Sequence, residues 1–247
     1  MKSNLLVLQA RLGSNRLPGK VLREVAGKPL ILHQIERIRC SKLLDQMVVA
    51  IPLGEQDDLL ATCLQDFRVP FFRGDELNVF SRFQAAIEEY SADVIIRSTA
   101  DCPLFMAELL DQMLLLFDNS DVDYLSNCLP PTFPDGLDIE IFSRKSFESL
   151  NSKELSSKQK EHVTLAYYDN SNTFKTLNFS NEHDLSHERW TVDYIEDFRF
   201  IEQIMSSINP LSKFDEVLQF LKQNPTVRNS KSGNFRNIAL VEDNPDV

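Results

Sequence analysis

The chain has 247 residues, 43% of them hydrophobic, which supports one substantial core and excludes a disordered polymer. Its 37 acidic side chains against 26 lysines and arginines give a formal charge of −11, which argues against attraction of the whole molecule to nucleic acid or to an anionic membrane. The four cysteines, Cys40, Cys63, Cys102 and Cys128, lie far apart without a Cys-x-x-Cys pair, so reduced thiols in a cytoplasmic protein are expected rather than zinc or disulfides.

The first apolar run is too short for a signal peptide, and the longest, Met113 to Phe117, is far below membrane-spanning length. Leu5 to Leu8 read as a buried strand. The segment that follows, Gln9 to Lys20, carries Arg11, Arg16 and Lys20 among Gly13 and Gly19, two of only seven glycines in the chain. Three cations in a flexible loop at the carboxyl end of a strand suit a polyphosphate. Gly27-Lys28-Pro29 marks a turn into a helix over 29–40, and Met47 to Ile51 is a second strand. A helix over 57–67 should turn Leu59, Leu60, Cys63, Leu64 and Phe67 inward. Val69 to Phe72 is a third strand, followed by a turn at Arg73-Gly74-Asp75. A helix over 77–90 should bury Leu77, Phe80, Phe83 and Ile87, and Asp93 to Ser98 is the fourth strand. This alternation predicts an α/β protein with a mainly parallel sheet and helices on both faces.

Met106 to Phe117 forms an apolar helix. Tyr124 to Asn127 reads as a strand, and Pro130, Pro131 and Pro134 hold the next segment out of regular structure. Asp138 to Phe142 alternates with period two and reads as a strand with one polar face. A helix is expected over 156–169, strands at 173–179 and 190–192, and helices at 194–206 and 214–223. No repeat or linker divides the chain, so 1–223 is read as one domain, with a smaller β-containing insertion near 120–185. Residues 224–247 are a polar tail.

Two acids stand at strand ends. Asp101 follows the fourth strand, and Asp193 closes Arg189-Trp190-Thr191-Val192. Such carboxylates can hold Mg²⁺ against phosphate oxygens, although Asp193 is also well placed to cap its helix. Asp138 and Glu140 share a strand face from which sugar hydroxyls could be bound. Glu161 and His162 are adjacent in a helix and so do not face each other as a catalytic dyad; separate substrate or structural contacts suit them better. Asp121-Val122-Asp123 forms an Asp-x-Asp pattern, the basis of a competing reading as a metal-dependent glycosyltransferase. A third reading is a non-catalytic nucleotide-binding protein. His33 and Trp190 are read as structural, and His183 and His187 as solvent-facing.

Gln9 to Lys20 resembles the signature loop of the cytidylyltransferase family that makes CMP-activated acidic sugars. Gly27 to Leu30, Arg97 to Pro103, Pro134 to Glu140 and Thr191 to Phe198 agree in the same order. With Glu161-His162-Val163-Thr164 added, the resemblance is closest to the spore coat polysaccharide SpsF-type branch. It implies a Rossmann-like nucleotide-diphospho-sugar transferase fold and transfer of CMP from CTP to an acidic sugar with release of pyrophosphate. By resemblance, Ala10, Arg11, Gly13, Ser14, Arg16, Lys20 and Arg82 would bind the nucleotide. Arg16, Lys20, Asp101 and Asp193 would be catalytic, the two acids as Mg²⁺ ligands. Asp135, Gly136, Glu140, Glu161 and His162 would meet the sugar. The resemblance also allows a homodimer, with 120–185 supplying the contact.

Overall fold

Four consecutive leucine and valine residues, Leu5 to Leu8, have no exposed surface at all, because helices cover both faces of the strand that contains them. In this computed structural model, which describes residues 2–150, 154–169 and 173–231, that strand is β1 (Asn4–Gln9). The hairpin β2 (Glu24–Val25) and β3 (Lys28–Pro29) comes next, then α1 (Leu30–Ile38), β4 (Gln46–Pro52) and α2 (Asp58–Asp66). They are followed by β5 (Phe71–Gly74), α3 (Val79–Glu88), β6 (Val94–Thr99) and α4 (Ala107–Asp118). The second half contributes β7 (Tyr124–Ser126), β8 (Glu140–Ser143), α5 (Arg144–Leu150), α6 (Ser157–Glu161) and α7 (Leu165–Asp169). It closes with β9 (Thr176–Asn178), α8 (Ile195–Ser207) and α9 (Phe214–Gln223).

The main sheet has seven strands in the order β5-β4-β1-β6-β8-β7-β9. All neighbours are parallel except β8, which runs antiparallel to β6 and β7. The chain moves outward from β1 through β4 to β5 and then crosses back to β6 on the other side of β1. That reversal opens a crevice beyond the carboxyl ends of β1 and β6, the place where open α/β sheets take their ligands. Side-chain alternation divides the core in two. Leu6, Leu8 and Ile96 pack with α1, α4 and Trp190 on one face; Leu5, Val7 and Ile95 pack with Phe83, Phe142 and Tyr167 on the other.

Several local expectations change. Leu59 on α2 and Phe67 just after it are 71% and 54% exposed, and Leu77, which precedes α3, is 87% exposed. Arg73 and Gly74 belong to β5 instead of a turn. The helix expected over 156–169 breaks at His162, whose backbone (φ −105°, ψ 85°) leaves the helical region between α6 and α7. Trp190 to Val192 forms no strand, and Thr191 lies at a bend; an isolated bridge pairs Asp135 with Arg189. The period-two pattern at 138–142 misleads, since Glu140 is 5% exposed and its face of β8 is covered. Residues 232–247 of the expected tail lie outside the described residues. Its beginning is packed, with Val227 against the core and Asn229 buried. Among the described residues no helix is long and apolar enough to cross a membrane.

Candidate active site

The loop after β1 is anchored by apolar and polar contacts that fix where its cations stand. Leu17 and Val21 are buried in the core, and the Leu12 N–H donates to Asp57 Oδ1 at 2.7 Å. Asp57 is itself fully buried; burial pushes its carboxyl up, and the Leu12 N–H opposes that rise. The Gly19 N–H closes the loop on the Leu12 carbonyl at 3.1 Å. Gly19 then takes a left-handed conformation (φ 67°), which a side chain would disfavour, and starts the short 3₁₀ turn Lys20–Leu22. This turn sends Lys20 inward, where only 9% of it stays exposed.

Lys20 Nζ donates to Asp101 Oδ2 and to Asp193 Oδ1, each at 2.8 Å. Arg16 reaches the same Asp193 oxygen at 2.9 Å, and its guanidinium lies 5.3 Å from the centre of the Tyr194 ring. The two acids meet because the backbones that carry them are joined. The Asp101 carbonyl accepts the Val192 N–H at 2.9 Å and the Thr191 hydroxyl at 3.2 Å. Burial opposes the charge on Lys20, yet Asp101 and Asp193 hold its pKa above the ordinary value. Burial would raise the Asp101 carboxyl, but Lys20 and the Thr99 and Cys102 side chains keep it well below the usual carboxylate range. The Asp101 carboxylate and the Lys20 ammonium are therefore both ionised at neutral pH.

These groups border a cleft of ≈ 470 Å³ at the crevice between β1 and β6. Of the sequence candidates, Ala10, Arg11, Ser14, Arg16, Lys20, Arg82, Asp101, Asp193, Glu161 and His162 line it. Five lysines and arginines face three acids there, reversing the sign of the whole chain. Arg82 is 4% exposed and donates to the Asp75 carbonyl at 2.6 Å. Burial, and then Arg11, lower its pKa, so an anion between the two guanidiniums would relieve both.

Four expected residues stand elsewhere. Gly13 does not line the cleft; it lies beside Gln56. Glu140 is paired with Arg97 beneath the cleft floor, and the Tyr124 and Tyr168 hydroxyls donate to it. Asp135 is in an ion pair with Arg189 at 2.6 Å. Gly136 (φ 107°) packs so closely on the Trp190–Thr191 backbone that a Cβ would sit 2.5 Å from the Thr191 nitrogen. The last two support the segment that ends in Asp193 and do not open onto the cleft. Asp121 and Asp123 precede β7 at its amino end, opposite the crevice, and Asp121 pairs with Lys175. That location removes the basis for the glycosyltransferase reading.

Sequence reasoning missed Arg97, Thr99, Asp57 and Arg189. Arg97 lines the cleft, donating from Nη1 to Glu140 and from Nε to Gln9. A signal was present for Arg97 and Arg189, since each is a charge set in an apolar, strand-prone run, and buried charges require partners.

A family model described as cytidylyltransferase matches residues 5–232. The spore coat polysaccharide biosynthesis protein SpsF of Bacillus subtilis is 34% identical over 238 residues, covering 91% of this chain and 96% of that protein. A cytidylyltransferase structure from Leptospira borgpetersenii superposes with a TM-score of 0.89 at 30% identity, covering 93% of this chain and 98% of that one. A CMP:2-keto-3-deoxy-manno-octonic acid synthetase complexed with CTP shares the fold, with a TM-score of 0.63 at 17% identity over 83% of this chain and 98% of that one.

Proposed function

The chain belongs to the cytidylyltransferase family, and from that premise we propose that it transfers CMP from CTP to an acidic sugar, releasing pyrophosphate, in surface-polysaccharide synthesis. One observation carries the reading. Arg16 and Lys20, suited to a triphosphate, converge on two carboxylates suited to a hard cation, all in one cleft at the β1–β6 crevice.

In this reading a sugar hydroxyl attacks the α-phosphorus of CTP as the bond to the β-phosphate oxygen breaks. Little covalent assistance is needed; the protein must align the reactants and balance phosphate charge. Arg11 and Arg82 flank the nucleotide, with the Ala10 backbone and Ser14 beside the base and ribose. Arg16 and Lys20 hold the triphosphate and then the departing pyrophosphate. Glu161 and His162 border the acceptor side of the cleft.

Asp101 and Asp193 fit Mg²⁺. Among the described residues no three acids, histidines or cysteines gather into a metal cage. Two carboxylates opening on a phosphate site are what Mg²⁺ uses when the remaining ligands are water and phosphate oxygens. When bound, the ion would neutralise phosphate charge and polarise the α-phosphate. Lys20 now bridges both acids and is the group that gives way, moving its charge to the triphosphate. A homodimer and a cytoplasmic site of action, where CTP is available, complete the proposal.

Pyrophosphate release from CTP, followed with and without Mg²⁺ and acceptor sugar, tests it. Release should require both. Arg16→Ala and Asp193→Asn should each reduce it by about 100-fold or more, as expected for loss of a charge-stabilising group. Unchanged release in either variant, with the chain folded, contradicts the site.

A further inference from the structure

Arg189 does not line the cleft, yet its guanidinium meets three carboxylates, one of them that of the cleft residue Asp193. Its side chain is 6% exposed. Nη1 donates to Asp135 at 2.6 Å, Nη2 to Asp193 Oδ2 at 2.8 Å, and Nε to Asp197 Oδ1 at 3.1 Å. Asp197, fully buried in the first turn of α8, accepts the N–H groups of Asp193 and Tyr194, each at 2.9 Å. Asn229 closes the unit, donating to Asp197 Oδ1 at 2.9 Å and to the Arg189 carbonyl at 3.0 Å.

Asp193 is thus fixed at two points, its N–H by Asp197 and its Oδ2 by Arg189. The remaining oxygen, Oδ1, points to Lys20 and Arg16. The terminal torsion of an aspartate is soft, so without a partner on Oδ2 the plane of this carboxylate would not be set. Buried ion pairs of this kind are weak sources of stability, and well-packed apolar residues often replace them without loss. A guanidinium shared by three acids is better explained by the orientation it imposes on one of them.

We propose that Arg189 is a positioning residue, holding the Asp193 carboxylate turned so that Oδ1 is presented with Asp101 to a divalent cation arriving with the nucleotide. This rests on the nucleotidyl-transfer reading above. Outer partners of metal-ligating side chains orient them and tune their affinity. Arg189 acts in that way through Oδ2, whereas Asp135 and Asp197 anchor Arg189 itself.

The test is calorimetric titration of the full chain with CTP, in EDTA and in saturating Mg²⁺, for wild type, Arg189→Gln, Arg189→Lys and Asn229→Ala. Wild type should bind CTP more tightly with Mg²⁺. Arg189→Gln should lose about tenfold or more of that metal-dependent gain, while metal-free CTP affinity stays within about twofold. Arg189→Lys should recover part of the gain and decides the question if the Gln variant does not fold. Asn229→Ala, which touches Asp197 but not the Asp193 side chain, should lower the melting temperature and keep the gain. A full gain in both Arg189 variants overturns the proposal and leaves the nucleotidyl-transfer reading standing. A parallel fall of both affinities also overturns it, because that marks a role in folding alone. No gain in wild type removes the metal reading and this proposal with it.

Discussion

The Lys20 ammonium and the Asp193 carboxylate lie 173 residues apart in sequence and 2.8 Å apart in space, with Asp101 on the other side of the same nitrogen. One ammonium therefore bridges the two acids in the free protein. Replacing Lys20 by Met removes the cation between them, leaving Asp193 to Arg16 and Arg189 and taking from Asp101 its ion-pair partner, so that positive charge from a metal is favoured between the two acids. Mn²⁺ binding in the absence of nucleotide, followed by electron paramagnetic resonance, should tighten in Lys20→Met relative to wild type. Turnover of CTP should fall by about 10²–10³, the usual cost of removing a charge-stabilising donor. Weaker Mn²⁺ binding in the variant would show that Lys20 does not stand in the place of the metal.

Beneath the cleft, Arg97 and Glu140 form a buried pair across β6 and β8. Burial alone would push the Glu140 carboxyl up. Arg97, with the side chains of Thr164 and Tyr124, more than offsets that and holds it below its ordinary 4.5. Its contribution to stability is therefore complete above about pH 4.5 and is lost as pH falls through the lower folded value. Urea unfolding across this range should show a dependence of stability on pH that is reduced in Glu140→Gln, with Asp101 supplying part of what remains. Arg97→Met, which strands a buried carboxylate, should cost about 3–5 kcal/mol at neutral pH. A wild-type-like midpoint for Arg97→Met would contradict the pairing.

Gly136 has a different kind of importance. Its φ of 107° and its approach to the Thr191 nitrogen leave no place for a Cβ. Gly136→Ala should destabilise the chain by on the order of 3 kcal/mol through strain and overpacking. Because the displaced Trp190–Thr191 backbone leads to Asp193, turnover should fall as well, although Gly136 does not line the cleft. Circular-dichroism melts together with pyrophosphate release check both effects. Loss of stability with full activity would separate this segment from the site.

Asp121 and Asp123 supply a negative control. Asp121 is exposed, and both precede β7 at the end of the sheet away from the crevice. Asp121→Asn and Asp123→Asn should leave CTP turnover as in wild type. A loss comparable to that of Asp193→Asn would restore the Asp-x-Asp reading.

The first hundred residues were legible because strand and helix differ in period and each short apolar run is one buried strand. The cationic loop was legible for a similar reason, since Arg11, Arg16 and Lys20 cluster at the end of such a strand. What escaped depends on contacts distant in sequence. Nothing local to Glu140 reveals that Arg97 and two tyrosines enclose it, so its alternating pattern reads as an exposed face. Nothing local to Gly136 reveals the Thr191 backbone against it. Leu59, Phe67 and Leu77 fit helical spacing yet stay exposed, because periodicity fixes a face and not where that face meets the core. Asn229 was hidden in a polar stretch by composition, and its amide closes the Asp197 network.

The proposed transfer of CMP to a sugar is tested most directly with CTP radiolabelled at its α-phosphate. The full chain is incubated with Mg²⁺ and, in separate reactions, acidic 2-keto sugars and neutral sugars, with UTP, GTP and ATP as parallel donors. Label should move from CTP to an acidic sugar with one pyrophosphate released per transfer, and Asp193→Asn should abolish the product. Transfer that proceeds equally well from UTP, or that survives in Asp193→Asn, would contradict the proposal.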